Sequence, residues 1–227
     1  ELQTNFGGGK THSMLALYHL CSGLPLADLT GVEEIARELD SSALPKIRTS
    51  VLVGTALTPG DLDSLENITP NTLWGLMALQ LGGAAAYEII RKADESGVAP
   101  GSDLLVKLFK QIAYPCLVLI DEWVAYCRQL WDLGNHPAGS FDTNLSFAQS
   151  LTEAAKACPQ VLIVASLPAS KVEVGGAGGG QARASLESTF GRIEFSWRPA
   201  NQEESYEIVR RRLFEPMESA DAFANRD

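Results

Sequence analysis

The sequence is poor in the residues that build metal centres and disulfide frameworks. It holds four cysteines and three histidines in 227 residues. Cys21, Cys116, Cys127 and Cys158 form no C-x-x-C pair, and each lies in or beside an apolar segment. They read as reduced cysteines used as small core hydrophobes. His12, His19 and His136 are too scattered to complete a zinc site. Long apolar runs are also lacking, since no stretch approaches the ~20 residues of a membrane span. The opening Glu1-Leu2-Gln3-Thr4 carries neither a basic region nor an apolar run, so no signal peptide is expected there. Without an initiator methionine the chain reads as a piece of a longer protein, and the expected setting is a reducing cytoplasm with no membrane contact. An excess of positive charge is missing as well: 18 basic residues stand against 28 acidic ones, a net charge of -10. Nucleic-acid surfaces are usually basic, because phosphate neutralisation supplies much of the affinity. Charge therefore lends DNA contact no support, and any basic groove would have to be local.

What is present is an ordinary globular composition, 45% hydrophobic and 20% charged, in a chain long enough for one α/β domain with a core. Apolar runs alternate with segments of helical period, the signature of a parallel sheet covered by helices. Leu2 would be the tail of a truncated first strand. Residues 50–54, 116–120, 161–165 and 192–197 read as four more, and 116–120 is apolar throughout and so buried on both faces. A helix from about Thr11 places Met14, Leu17, Tyr18 and Cys21 on one face and ends at Gly23 and Pro25. Asn71 or Thr72 would cap a helix closed by Gly82-Gly83, and 84–96 forms another. Ser102 would cap a third, facing Leu104, Leu105, Leu108, Phe109 and Ile112 inward. Asp142 would cap one packed through Phe147, Ala148, Leu151, Ala155 and Cys158. A helix near 184–190 leads to the fifth strand, and a last one runs from Gln202 to about Phe214. The glycine-rich run 175–180 lacks a following Lys-Thr/Ser and is expected to be a mobile surface loop.

The sharpest motif is Thr4-Asn5-Phe6-Gly7-Gly8-Gly9-Lys10-Thr11. A P-loop is a glycine-rich turn between strand and helix that ends in Gly-Lys-Thr/Ser. Its glycines let successive backbone N–H groups converge on phosphates, aided by the positive end of the helix. Lys10 would reach the outer phosphates of ATP, and the Thr11 hydroxyl would ligate Mg²⁺. Thr4 stands where the first glycine of the consensus belongs, while Gly7 and Gly9 are kept. The second motif is Leu117-Val118-Leu119-Ile120-Asp121-Glu122, a buried strand ending in two carboxylates. Ligands of open α/β sheets bind at the carboxyl ends of the strands. Asp121 would hold Mg²⁺ through water, and Glu122 would polarise the attacking water. The competing reading is a helix that merely starts with two acids, as the helix dipole favours. Ser166, at the end of the fourth strand, reads either as a sensor of the γ-phosphate or as the start of a turn before Pro168. Arg192 reads either as a finger reaching a neighbour's nucleotide or as a solvated strand-edge arginine. Arg183 and Arg198 are weaker candidates for that role, and Arg210-Arg211-Arg212 reads as a solvated helix face.

The order P-loop, extra strand, Asp-Glu strand, polar-ended strand and Gly-Arg before a fifth strand resembles the AAA+ layout. Three stretches, Leu2 to Ser13, Leu119 to Tyr126 and Glu204 to Phe214, further resemble large bacterial ATPases of defence gene clusters. Those are encoded beside DNA methyltransferases and helicases, as in the phage growth limitation and bacteriophage exclusion systems. The resemblance implies a three-layer α/β P-loop NTPase with a five-stranded parallel sheet in the order 5-1-4-3-2 and helices on both faces. It implies an AAA+ core over 1–200 and an incomplete helical lid over 201–227. Phe6, Gly7, Gly8, Gly9, Lys10, Thr11 and His12 would hold ATP, Thr11 and Asp121 Mg²⁺, and Glu122, Lys10, Ser166 and Arg192 would act in hydrolysis. The implied partners are further copies of the chain or other defence proteins. The alternative from another class is a nucleotide-gated assembly switch with negligible turnover.

Overall fold

Alternate burial along the strands decides the layering of the molecule. The structure, a computed structural model, describes residues 2–4, 9–29, 31, 37–38, 44–134, 136–168 and 175–190. The expected fifth strand, the final helix, Arg192, Arg198 and Arg210-Arg211-Arg212 lie outside those residues, as do Phe6, Gly7 and Gly8. Four strands, β1 (Leu2–Thr4), β2 (Arg48–Val53), β3 (Cys116–Asp121) and β4 (Val161–Pro168), form a parallel sheet in the order β1-β4-β3-β2. Parallel neighbours need crossovers, which helices supply here. α1 (Lys10–Leu20) follows β1, and α2 (Leu73–Ser96) and α3 (Ser102–Gln111) lie between β2 and β3. α4 (Trp123–Gln129) and α5 (Phe141–Ala157) lie between β3 and β4, and α6 (Gly176–Phe190) follows β4. Every residue of β3 is buried. Val118 and Ile120 join Leu52 and Ala165 in the large core under α2 to α6, whereas Leu117 and Leu119 meet Met14 of α1 on the opposite face. The fold is thus α/β, a parallel sheet with helices on both faces.

The strand positions follow the apolar runs, with β2 beginning earlier than expected and β4 running on to Pro168. α2 is broken where glycines weaken it. Gly82 (φ -147°, ψ 17°) and Gly83 (φ 63°, ψ -157°) are not helical, and Glu66 accepts the Ala84 N–H at 2.8 Å where the second half begins. That half returns beside the first, so that Asp94 meets Asn71 and Thr72. The expectation that no stretch reaches membrane-span length was too strict. Among the described residues α2 is long and apolar enough by composition, but it is kinked and 61% of its apolar window is buried in the core. Thr72 caps α2, accepting the Gly75 N–H at 3.1 Å.

Two other expected caps are displaced. Ser102 is the first helical residue of α3, and Gly101 occupies the cap. Ser140 rather than Asp142 caps α5: its hydroxyl accepts the Thr143 N–H at 3.1 Å while Thr143 Oγ1 accepts the Ser140 N–H at 2.8 Å. A reciprocal pair satisfies two end groups at once, which a lone Asp142 cannot. Ala154 is buried where Ala155 was expected to pack.

The glycine-rich run is no loop. Residues 176–180 form the first turn of α6, with Gly178 and Gly179 buried. A Cβ on Gly178 would overlap the Trp131 ring, so small residues let the helix lie against that indole. At the far edge of the sheet, the Gln80 amide pairs with β2. Its Oε1 accepts the Val51 N–H at 2.8 Å and the Ser50 hydroxyl at 2.7 Å, and its Nε2 donates to the Val51 carbonyl at 3.2 Å.

Candidate functional site

Parallel strands bring their carboxyl ends to one edge, and the two sequence motifs meet there. β1 pairs with β4 in a register that sets Leu2 opposite Ser166 and Thr4 opposite Pro168. The segment leaving β1 therefore starts beside the end of β4, and α1 begins at Lys10. Gly9 takes the left-handed conformation (φ 82°, ψ 10°), which glycine adopts without a Cβ penalty. Its carbonyl accepts the Ser13 N–H at 2.9 Å and the Ser13 hydroxyl at 3.0 Å. Among the described residues no side chain caps the first turn of α1 and no acid lies within it, so its N–H groups form a positive pole. Lys10 is buried, Thr11 lies at the site edge and His12 is exposed on α1.

Asp121 is the hub. It is 7% exposed at the end of β3. Thr11 Oγ1 donates to its Oδ2 at 2.8 Å across 110 residues of sequence. Ser166, itself buried, donates its only hydroxyl proton to Asp121 Oδ1. The Glu122 N–H reaches both Asp121 Oδ1, at 3.1 Å, and Ser166 Oγ, at 3.0 Å. Ser166 therefore touches Asp121 and the Glu122 peptide. Sensing a phosphate from there would require its hydroxyl to turn away from the carboxylate.

Glu122 is exposed, and its backbone is left-handed (φ 54°, ψ 36°), uncommon for a residue with a side chain. It sits at the N-cap of α4, a helix the sequence reading missed, and makes no side-chain cap bond. Its carbonyl accepts the Ala125 N–H at 3.0 Å and the Tyr126 N–H at 3.3 Å. The next residue, Trp123, is wholly buried and meets Phe190 at the end of α6 edge-to-face, 6.0 Å between centroids. Gly54, just beyond β2, was read only as the end of a strand. Its N–H donates to the Asp121 carbonyl at 2.8 Å, and its α-carbon faces the Glu122 peptide. A glycine at the carboxyl end of the strand next to Asp-Glu was the available signal.

The remaining candidates separate. Arg183 is engaged within α6 by Glu187 at 2.8 Å and makes no described contact with the strand-end residues. Clefts of about 430 and 520 Å³ lie along α5 and α6, lined by Gln149, Gln181 and Ser185 among others, away from the strand ends. Burial pushes the Cys127 thiol up to about 12 and the Cys116 thiol up to about 11, which leaves neither as a thiolate nucleophile near neutral pH. Among the described residues no three His, Cys, Asp or Glu side chains gather as a metal cage. What Thr11 and Asp121 offer instead is a pair of hard oxygen donors. That suits Mg²⁺, which is ordinarily held by one or two protein oxygens with water and substrate phosphates.

No curated protein and no solved structure matches the chain. The DUF499 N-terminal domain matches residues 1–183, from the start of the chain into α6, and the chain belongs to that family.

Proposed function

We propose that this chain is the ATP-binding and ATP-hydrolysing core of a P-loop ATPase of the AAA+ type. The family carries no assigned function, so the reading rests on the site itself. One observation carries it: the hydroxyl that closes the Gly-Lys-Thr motif lies 2.8 Å from the carboxylate that ends β3. A chance Gly-Lys-Thr and a chance Asp-Glu would have no reason to meet. The strand order β1-β4-β3-β2 is compatible with the AAA+ sheet, whose fifth position would fall to residues 192–197.

In this reading the N–H groups of 7–11 cradle the phosphates and Lys10 neutralises the outermost charge. Thr11 and Asp121 hold Mg²⁺, which when bound offsets charge on the β- and γ-phosphoryl oxygens. Ser166 fixes the rotation of the Asp121 carboxylate. Glu122 accepts a proton from the attacking water, and Arg192 from a neighbouring copy stabilises the charge on the transferring phosphoryl. Catalysis is mostly positioning and electrostatics, since phosphoryl transfer asks little covalent chemistry of the protein. Residues 1–200 form the core, with a lid beginning at 201. The resemblance of three stretches to defence-cluster ATPases supports a place in a larger, DNA-linked bacterial machine. The net charge of -10 argues that any DNA contact is made mostly by other parts of that machine.

The test is hydrolysis and nucleotide affinity measured in one preparation with Mg²⁺. Glu122→Gln should retain ATP binding and lose at least about a hundredfold in turnover, as removal of a general base does. Lys10→Ala should weaken ATP far more than AMP. Turnover unchanged in Glu122→Gln, or equal weakening of both nucleotides in Lys10→Ala, would defeat the proposal.

A further inference from the structure

Gly54 has an ordinary backbone, outside the left-handed region, so its conformation does not demand glycine. Its surroundings do. A Cβ there would overlap the Glu122 carbonyl group and stand 3.1 Å from Tyr126 Cβ. Its N–H extends the β2–β3 ladder one step past the strand, to the Asp121 carbonyl. The turn that Gly54 opens is tight: the N–H groups of Ala56 and Leu57 both return to the Val53 carbonyl, at 2.9 and 3.1 Å. Gln129, the last residue of α4, holds that turn from its other side. Its Nε2 donates to the carbonyls of Gly54, at 3.3 Å, and Leu57, at 3.2 Å. Glu122 is the N-cap of α4 and Gln129 its last residue, so both ends of one short helix meet the same turn.

We infer that Gly54 and Gln129 are positioning residues for Glu122, and that the turn 54–57 sets the peptide from which its carboxylate leaves. The inference rests on the reading of Glu122 as the water-polarising base. The physical ground is that a left-handed non-glycine residue persists only where its surroundings impose it. Around Glu122 the contacts that bear on its backbone include the Asp121 and Ser166 bonds on its N–H side and the Gly54 contact on its carbonyl side. A side chain at 54 pushes that carbonyl and rotates the peptide. Loss of the Gln129 bonds releases the turn and allows the same rotation more gently. The effect falls mainly on the base, because neither residue touches Gly9, Lys10 or Thr11 in any described bond and Gly54 meets Asp121 at its main-chain carbonyl rather than its carboxylate.

Steady-state hydrolysis, nucleotide affinity and thermal stability of Gly54→Ala and Gln129→Ala test this. Misplacing a catalytic group by about 1 Å costs on the order of a hundredfold, so Gly54→Ala should lose roughly 10- to 100-fold in kcat. Its KM and nucleotide affinity should stay within about twofold, since the phosphate-binding contacts are untouched. Gln129 is exposed, so Gln129→Ala should fold normally and lose roughly threefold to tenfold in kcat, again with KM kept. In a Glu122→Gln background neither change should lower the residual rate further, because the group being positioned is gone. Parallel falls in affinity, stability and turnover for Gly54→Ala, with Gln129→Ala at the wild-type rate, would assign the pair a structural role and overturn the inference. Hydrolysis abolished by Glu122→Gln yet indifferent to both substitutions would overturn it while leaving the ATPase reading intact. Hydrolysis indifferent to Glu122→Gln would remove both. If Gly54→Ala fails to fold, the kcat and KM of Gln129→Ala decide alone.

Discussion

Asp94 and Asp121 are both buried carboxylates, 0% and 7% exposed, and both accept several hydrogen bonds. Asp94 takes the Asn71 N–H at 3.1 Å, the Thr72 N–H at 2.9 Å, the Thr72 hydroxyl and the Tyr87 hydroxyl at 2.7 Å. Its donors come from Asn71 and Thr72 at the entry to α2 and from Tyr87 within it, and two are peptide groups at a helix start with no other described bond. Gly75 faces it so closely that a Cβ would overlap its Oδ1. Asp121 takes its donors from α1, β4 and the turn into α4, and two are hydroxyls that can change partner. Burial therefore does not mark a working carboxylate. The marker is whether its partners could release it to a metal, a water or a phosphate.

Substitution of both aspartates separates the two cases. Asp94→Ala should cost about 3–5 kcal/mol of stability, because it strands two peptide N–H groups and two hydroxyls in the core. Chemical denaturation reads this directly, and a loss under about 1 kcal/mol would dissolve the contrast. Asp121→Asn should cost less, about 1–2 kcal/mol, since its amide oxygen can keep the Ser166 and Glu122 bonds while the Thr11 hydroxyl turns to accept from the amide NH2 on the other side. Its Mg²⁺-dependent turnover should fall about a hundredfold, equivalent to about 2.7 kcal/mol of transition-state stabilisation. Equal destabilisation by both substitutions would place Asp121 in the structural class.

Tyr87→Phe sharpens the comparison on the side of Asp94, removing one donor and about 1 kcal/mol while leaving hydrolysis unchanged. Burial first, then the hydrogen bond and charge of Asp94, push the Tyr87 phenol well above its usual range. The folded state keeps that proton after the unfolded chain has released it. Stability should begin to fall above about pH 9, where the unfolded chain releases thiol protons that the fold keeps, and fall faster above about pH 10, less so in Tyr87→Phe. Cys116, Cys127 and Tyr126, all raised by burial, account for the slope that remains. The smallest effect expected is on thiols. Cys21 is half-buried while the other three cysteines are buried, so a thiol reagent should modify Cys21 first and the others only on unfolding. Early modification of Cys116 or Cys127 would show that the core opens locally.

The carboxylate proposed to work stood out in the sequence and the structural one did not. Asp121 closes an apolar run and is followed by Glu122, so pattern alone singled it out as a candidate. Asp94 sits in a helical stretch like any solvated acid. Its role exists only because Gly82-Gly83 folds the hairpin back, a geometry that periodicity does not encode. The same limit explains the glycine run at 175–180. Locally it is flexible, and only the Trp131 ring packed on Gly178 turns it into a helix start. α4 went unseen because seven residues, four of them buried, make too short a run to show an amphipathic period. The cap of α5 lies two residues earlier than expected because Ser140 and Thr143 satisfy each other, a reciprocity that competes with the helix-dipole preference for Asp142.

The Gln80 amide on β2 bears on the company this protein keeps. An unpaired strand edge is a template on which another chain can zip, and crowded synthesis makes such encounters frequent. Here one side chain behaves as a single residue of a missing strand, donating to and accepting from Val51 as a neighbour would. A foreign strand would have to evict it before pairing, and would then face the turn at Val53, whose carbonyl already serves Ala56 and Leu57. Among the described residues, the β2 edge of the sheet is thus partly occupied at its centre by a side chain of the same chain.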